Sequence, residues 1–152
     1  MNLQKVTEEL KATGLVKIVH TNAAGEIVKE FQVPNLVVTV GKQHIASKIA
    51  ATTNTPPAMT HMGIGTGTAT PGAGDTALIT QTGRVSLAGA VVSANTITYT
   101  ATFPAGTGDG AITEAGIFNA STAGAMLCRT TFPVVTKGAG DTIAVTWVVT
   151  VS

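Results

Sequence analysis

Charged residues are scarce in this chain of 152 residues, because they make up 11% of it, whereas an ordinary globular protein carries about 25%. Most of these charges precede residue 49, so the longer remainder of the chain is almost uncharged. A soluble monomer normally carries more surface charge, whereas a subunit of an assembly does not need to. The net charge of +1 gives no argument for direct contact with nucleic acid or an anionic membrane. We therefore expect the chain to act in contact with other protein.

Cysteine is nearly absent as well, because Cys128 is the only one in the sequence. A lone cysteine excludes an intrachain disulfide and a metal site built from several thiolates. The histidines His20, His44 and His61 lie far apart and lack the close spacing of metal ligands. No apolar run approaches the roughly 18 residues that cross a bilayer. The sequence therefore predicts no metal, no cofactor and no membrane-spanning segment.

The usual signatures of enzymes are lacking too. The glycines of the segment 63–67 have neither the Lys-Ser/Thr ending of a P-loop nor dinucleotide-binding spacing, so we interpret them as points where another backbone comes close. No serine lies in a nucleophile elbow. Asp75, Asp109 and Asp141 each stand beside glycine or threonine, as turn residues do. We therefore expect no catalytic residue, no enzymatic activity and no small-molecule ligand.

What the chain does have is strict alternation of apolar and threonine residues. From Thr96 to Phe103 every second residue is threonine, and the residues between them are Ile, Tyr, Ala and Phe. The segment from Thr142 to Val151 likewise places Ile, Val, Trp, Val and Val on one face. Alternation of this kind predicts β-strands with one buried face, since side chains on a strand point to opposite sides in turn. The opposite, threonine-rich face is expected to contact protein.

The chain is predicted to be all-β, an antiparallel β-sandwich or jelly-roll-like body with an N-terminal hairpin arm and one or two short helices. Residues 1–55 would form the arm and residues 56–152 the body. Helical spacing of apolar residues predicts helices over 2–12 and 41–51. A β-hairpin is predicted over 15–21 and 26–33, and Pro34 is expected to end it. The remaining predicted strands cover 61–65, 84–92, 95–103, 112–119, 124–132 and 142–151.

Three charges stand almost alone in apolar, strand-like segments: Arg84, Glu114 and Arg129. A carboxylate in such a segment should meet an arginine, within the subunit or across an interface. The alternative is an ordinary ion pair at the rim of the sheet, worth about 0–1 kcal/mol. These three residues are the candidate structural or interface charges.

Several blocks of sequence, in fixed order and spacing, carry a resemblance to a known group of proteins. The blocks are Gly14-Leu-Val-Lys-Ile-Val-His20 with Gly25-Glu-Ile-Val28, Pro34-Asn-Leu-Val-Val38 with Gly41-Lys-Gln-His-Ile-Ala46, His61-Met-Gly-Ile-Gly-Thr-Gly67 with Asp75-Thr-Ala-Leu78, Arg84, Thr98-Tyr-Thr-Ala-Thr-Phe103, Ile112-Thr-Glu-Ala-Gly-Ile-Phe118 and Gly124-Ala-Met-Leu-Cys-Arg129. Together they resemble small bacteriophage virion structural proteins, a group that includes capsid cement or decoration proteins and tail or fibre-associated proteins.

The resemblance implies a structural part of a phage particle, made in the cytoplasm of the host bacterium. The main expectation is a capsid cement protein that binds the outer face of the major capsid protein lattice and stabilises the DNA-filled head. The alternative is a tail, baseplate or fibre-attachment subunit. Self-association as a dimer or trimer is expected in either case, since positions in a particle are symmetric.

The candidate docking residues lie in the N-terminal segment, where most of the lysines are found. They are Lys5, Lys11, Lys17, Lys29, Phe31 and Lys42.

Overall fold

The computed structural model describes residues 8–50 and 55–152. It contains one helix and nine strands within these residues. They are β1 (Ala12–Thr21), β2 (Ile27–Val37), α1 (Thr39–Ile49), β3 (His61–Gly65), β4 (Gln81–Ser86), β5 (Gly89–Ser93), β6 (Thr96–Phe103), β7 (Gly110–Phe118), β8 (Met126–Lys137) and β9 (Thr142–Val151). The helix predicted over 2–12 lies largely outside the described residues, and residues 8–11 enter β1 without helical structure.

The strands form a curled antiparallel sheet in the order β4-β3-β7-β8-β2-β1-β9-β6-β5. The predicted all-β, antiparallel fold class is therefore confirmed. The sheet is weakest between β2 and β8, which pair through only two positions, Leu36 with Arg129 and Val37 with Cys128. This short seam divides the sheet into a five-stranded half (β2, β1, β9, β6, β5) and a four-stranded half (β4, β3, β7, β8). The core lies between the two halves.

The two ends of the sheet are joined by a chain of two residues. Leu87 N–H donates to the carbonyl of Thr60 at 2.8 Å, and Ala88 N–H donates to that of Thr100 at 2.7 Å. Leu87 therefore bonds to the residue just before β3, and Ala88 bonds to β6. Because these strands lie near opposite ends of the sheet order, the sheet has to curl for both bonds to form. The single strand predicted over 84–92 is for this reason two strands, β4 and β5.

Buried residues alternate with less buried ones in β6 and β9, as predicted, and in the second half of β1. In β9, Val145 and Trp147 are buried, whereas Ala144 and Thr146 are exposed. The predicted β9 bounds, 142–151, match the structure. Apolar residues every second position therefore form one wall of the core, and the threonine face is left to solvent.

The β1–β2 hairpin lies inside the sheet, between β8 and β9. The sheet consequently contains strands from both predicted segments, 1–55 and 56–152, and the division of the chain at residue 55 stays a prediction. The hairpin also continues through Pro34, where the sequence predicted its end. Pro34 pairs with Leu15 of β1, and its carbonyl accepts a bond from the Thr130 hydroxyl on the β8 side at 2.7 Å. A proline is tolerated there because the β8 side needs no N–H from it.

Helix α1 packs on β8 at the seam. A side chain at Gly41 would collide with the Leu127 backbone, so glycine permits this close approach. The helix was predicted over 41–51 and begins two residues earlier, and its first N–H, on Thr39, donates to the Ala73 carbonyl at 2.8 Å. Among the described residues, no helix has the length and apolar character needed to span a membrane.

Candidate functional site

The most unusual chemistry in the molecule is a buried ion pair between Glu114 of β7 and Arg129 of β8. Both side chains have an exposed fraction of 0%. The guanidinium donates to Oε2 of Glu114 through Nε at 3.0 Å and through Nη2 at 2.9 Å. Arg129 is opposite Gly116 in the β7–β8 register, so the pair lies on the outer face of the sheet, away from Ile117 and Cys128 in the core.

This ion pair is buried because the loop of residues 66–80 folds over it. The Glu114 carboxylate accepts backbone N–H bonds from Gly67 at 3.0 Å, Ile79 at 3.0 Å and Thr80 at 2.8 Å. Arg129 donates from Nη1 to the Asp75 carboxylate at 3.0 Å and from Nη2 to the Ala69 carbonyl at 2.9 Å. Both charges therefore clasp one loop onto the outer face of the four-stranded half.

The electrostatics of Glu114 follow from these contacts. Burial by itself raises the pKa of a carboxyl group, but the backbone bonds from Thr80 and Ile79, the Arg129 side chain and the bond from Gly67 together lower the pKa of Glu114 below its ordinary value. A carboxylate has about four acceptor positions, and all are used here. Glu114 is therefore a structural anion that holds the loop, with no lone pair left for proton transfer or a metal ion.

The glycines of the 63–67 segment are explained by the same loop. A side chain at Gly65 would lie 2.7 Å from Oε1 of Glu114, and one at Gly67 would lie 2.5 Å from the same atom. Gly65 also faces the Thr80 carbonyl too closely for any side chain. The prediction that these glycines permit close approach of another backbone is confirmed for Gly65, whereas Gly63 and Gly67 face side chains.

Arg84 lies apart from the Glu114–Arg129 pair. Its guanidinium is 3.6 Å from the centre of the Phe118 ring, and it donates to the side chain of Gln81 at 2.9 and 2.7 Å. Nη1 donates to the carbonyls of Ala120 and Ala123 at 3.0 and 2.9 Å. Arg84 thus fastens the β7–β8 turn to β4. A role for these three charges at an interface stays a prediction.

The predicted docking residues are spread over two regions. Lys5 lies outside the described residues. Lys17 forms an exposed ion pair with Glu30 at 2.8 Å, and Lys29 donates to the Val134 carbonyl at 3.0 Å beside the Phe31 ring. Lys11 and Lys42, in contrast, line one depression beside α1.

The outside of the five-stranded half is uncharged over β5, β6 and β9, whereas β1 and β2 carry the exposed Lys17–Glu30 pair on the same side. The strand register aligns one row across five strands, consisting of Val91, Thr98, Val148, Leu15 and Pro34. Val91 is 64% exposed and Leu15 is 47% exposed. None of β5, β6 and β9 contains a charged residue, so a partner could cover the face of these three strands without desolvating an ion.

Sequence reasoning missed two parts of the molecule. Asp75 was interpreted as a turn residue, but it also pairs with Arg129, 54 residues away in the chain. The apolar depressions beside α1 were not anticipated either, because they are lined by residues from six separate segments. The described residues contain no group of three or more His, Cys, Asp or Glu side chains placed to hold a metal ion.

Comparison with known proteins gives one finding. Residues 29–152 match the family model described as phage tail-collar fibre protein, N-terminal. No curated protein and no solved structure matches the chain. The match covers most of the chain, including eight of the nine strands wholly or in large part. It supports a phage virion structural protein, and it favours the tail or fibre subunit over the capsid cement protein and its major capsid protein partner.

Proposed function

The chain belongs to the phage tail-collar fibre family, and from that premise we propose that it is a structural subunit that attaches a fibre to the tail of a bacteriophage particle. The family match over residues 29–152 carries this proposal. The physical character of the chain agrees with it, since a rigid domain with few charges and a broad uncharged face suits permanent contact with protein. Its mechanism would be mechanical, because attachment needs complementary surfaces and no chemical step.

The clasped loop suits such a role. A surface that must bind a neighbour repeatedly in the same geometry loses less conformational entropy if it is already ordered. The loop of residues 66–80 is held by buried charges at Glu114 and Arg129 and by the Asp75 carboxylate, which also accepts the Gly72 N–H at 2.9 Å. The outer face of the four-stranded half is therefore preorganised before any partner arrives.

Self-association is the second element of the proposal, and the uncharged row on the five-stranded half is its candidate surface. Five neighbouring strands at the usual spacing make this row roughly 20 Å long. A stable interface buries about 800 Å² on each partner, which a sheet face of five strands can supply. Copies arranged around a fibre axis would each repeat the contact, so modest pairwise energies would add up.

The test of the function is immunogold electron microscopy of intact particles, with antibody raised against the purified chain. Gold at the tail or its tip is the expected result. Gold spread over the icosahedral head would overturn the proposal and restore the capsid cement expectation.

Self-association is tested by light scattering on the purified chain. We expect a multimer that Val91→Asp converts to a monomer, because the substitution places a charge in the uncharged row. Val134→Asp is the matched control, since Val134 is also an exposed valine, at 50% against 64% for Val91. A wild-type monomer, or equal effects of both variants, would contradict the surface proposed here.

A further inference from the structure

Two apolar depressions flank helix α1 and share residues along its length. The larger has a volume of about 420 Å³, with Met59, Ile97 and Val149 in its lining. The smaller has a volume of about 140 Å³, with Leu10 in its lining. Ile45, Ile49 and Val151 border both. The two depressions therefore form one apolar groove that follows α1, which we call the α1 groove.

Apolar residues at the groove are open to solvent. Ile49 at the end of α1 is 74% exposed, and Leu10 before β1 is 68% exposed. They are among the most exposed large apolar side chains of the described residues. A contiguous apolar patch on a soluble protein commonly marks a contact site, because leaving it in water is unfavourable.

The charged side chains that line the α1 groove are all basic. They are Lys11 and Lys42 in the smaller depression and Lys48 in the larger. The Lys48 ammonium also donates to the Pro56 carbonyl, and Lys11 lies 3.4 Å from exposed Glu9. Burial, with the nearby Lys48 charge, lowers the pKa of His44, so this histidine adds no positive charge at neutral pH. Lys42 and Lys48 therefore give the rim of the groove a positive potential, with one of these lysines at each depression.

We propose that the α1 groove binds an acidic amphipathic helix of a neighbouring tail protein. This inference rests on the proposed attachment function and names the chemistry of the partner. The apolar floor calls for a row of apolar side chains at helical spacing, as in other helix-in-groove contacts. The lysine rim calls for Asp or Glu on the flank of that helix, since complementary charge steers association and fixes register.

The shape of the groove favours a helix over a small molecule. An α-helix of eleven residues is about 16 Å long, and α1 has eleven. The depressions lie along adjacent faces of α1 and meet at Ile45 and Ile49, so a partner helix could lie along α1 and contact both. Lys11 and Lys42, which the sequence predicted as docking residues, then contribute to one site.

The test uses phage tails purified from a mutant that lacks this gene, mixed with the full-length purified chain and sedimented. Ile49→Asp is the main variant, because it places a negative charge on the floor of the groove at an exposed position that contributes little to folding. We expect tail binding at least tenfold weaker than wild type. Ile27→Asp is the matched control, since Ile27 is 62% exposed and lies outside the groove lining; it should bind within about twofold of wild type.

The charge of the rim is tested separately by Lys42→Glu, with Lys29→Glu as the control of equal charge change. Lys42→Glu should weaken tail binding severalfold at low salt, and the difference should shrink at high salt as charges are screened. Equal effects of the two substitutions would overturn the assignment of the acidic partner to the α1 groove.

The outcomes separate this inference from the proposed function. If wild-type chain does not bind the tails, the attachment function fails. If wild type binds and Ile49→Asp binds equally well, attachment stands and the α1 groove is not the site. Native mass spectrometry of the chain purified from bacteria gives a further check. A bound fatty acid that Ile49→Asp removes, with tail binding intact, would assign the groove to a lipid and overturn the inference.

Discussion

The five-stranded half leaves its outer face to solvent, whereas the four-stranded half covers much of its outer face with its own chain. In β9 buried and exposed residues alternate, but residues 112–118 of β7 and 126–130 of β8 are buried without interruption. The difference shows two ways of finishing a sheet. In the five-stranded half, the uncharged, threonine-rich face of β6 and β9 stays available for contact. The four-stranded half instead buries the loop of residues 66–80 and must satisfy the polar backbone groups of that loop.

That requirement explains why Glu114 and Arg129, two of the rare charges in the second half of the chain, are buried. A loop covering a sheet carries N–H and carbonyl groups that cannot all pair with one another, and each unpaired buried group costs about 1–3 kcal/mol. Glu114 accepts three of these N–H groups and Arg129 donates to the Ala69 carbonyl. The ion pair therefore supplies the hydrogen bonds that water or a neighbouring strand would otherwise make with the backbone of the loop.

The largest expected effect comes from Glu114→Gln. The substitution keeps the shape but removes the charge opposite Arg129 and turns one acceptor into a donor that faces other donors. Breaking a buried ion pair in this way costs about 3–5 kcal/mol. For a chain of this size the midpoint of thermal unfolding should fall by about 10 °C, which thermal and urea unfolding followed by circular dichroism would measure.

The matched control for that experiment is Glu30→Gln. Glu30 pairs with Lys17 at 2.8 Å, but both side chains are nearly half exposed, so the loss should stay below about 1 kcal/mol. A Glu114 variant as stable as the Glu30 variant would show that the clasp does not stabilise the four-stranded half.

The next prediction compares how the cost of truncating a side chain varies along a strand in each half. In β9, Ile143→Ala should cost about 2–5 kcal/mol because Ile143 is 2% exposed, whereas Thr146→Ala should cost less than about 1 kcal/mol. In β8, Met126→Ala and Leu127→Ala are neighbours in sequence, and both should cost about 2–5 kcal/mol because both are buried. Urea unfolding of the four variants measures this. If only one of the two β8 variants lost stability, as in β9, the proposed difference between the halves would be wrong.

The sequence predicted the five-stranded half better than the four-stranded half, for a physical reason. Alternation is a local signal, so the buried faces of β6 and β9 could be assigned from neighbouring residues alone. A strand buried on both faces carries no such signal, because what covers β7 and β8 comes from a distant loop. The ion pair was anticipated as a possibility from isolated charges, but the contact of Arg129 with Asp75 depends on tertiary folding.

Two other features also depended on tertiary context. Pro34 was expected to end a strand, yet it lies within β2 because the seam requires no N–H at that point. The α1 groove gathers Leu10, Ile49, Met59 and Val149 from separate segments, and no one of these segments has a distinctive motif. The expectation of a phage structural protein came from the order of many weak sequence blocks. The family match supports that expectation and favours a tail or fibre protein.

A smaller effect is expected from the glycines under the clasped loop. Gly65→Ala would push a methyl group against the Thr80 carbonyl and Oε1 of Glu114, at a cost of about 1–3 kcal/mol for overpacking. Gly74→Ala, in the same loop, meets no atom within 4 Å and should change stability by less than about 1 kcal/mol. Urea unfolding of the pair tests this. Equal losses would mean that the loop resists any added side chain, wherever it lies.

The smallest and most specific effect is the acid dependence of the clasp. Because the pKa of Glu114 is lowered on folding, its contribution to stability is fully present above the unfolded pKa of about 4.3 and is lost as the pH falls through the folded value. Wild type should therefore lose stability in this acid range more steeply than Glu114→Gln, which has no carboxyl group to protonate. Urea unfolding of both proteins at a series of pH values from about 6 down to about 3 measures the difference. If the stability of both proteins fell equally with pH, the charge of Glu114 would not stabilise the loop. The four-stranded half would then keep its outer face covered by packing and neutral hydrogen bonds, just as packing holds the core of the five-stranded half together.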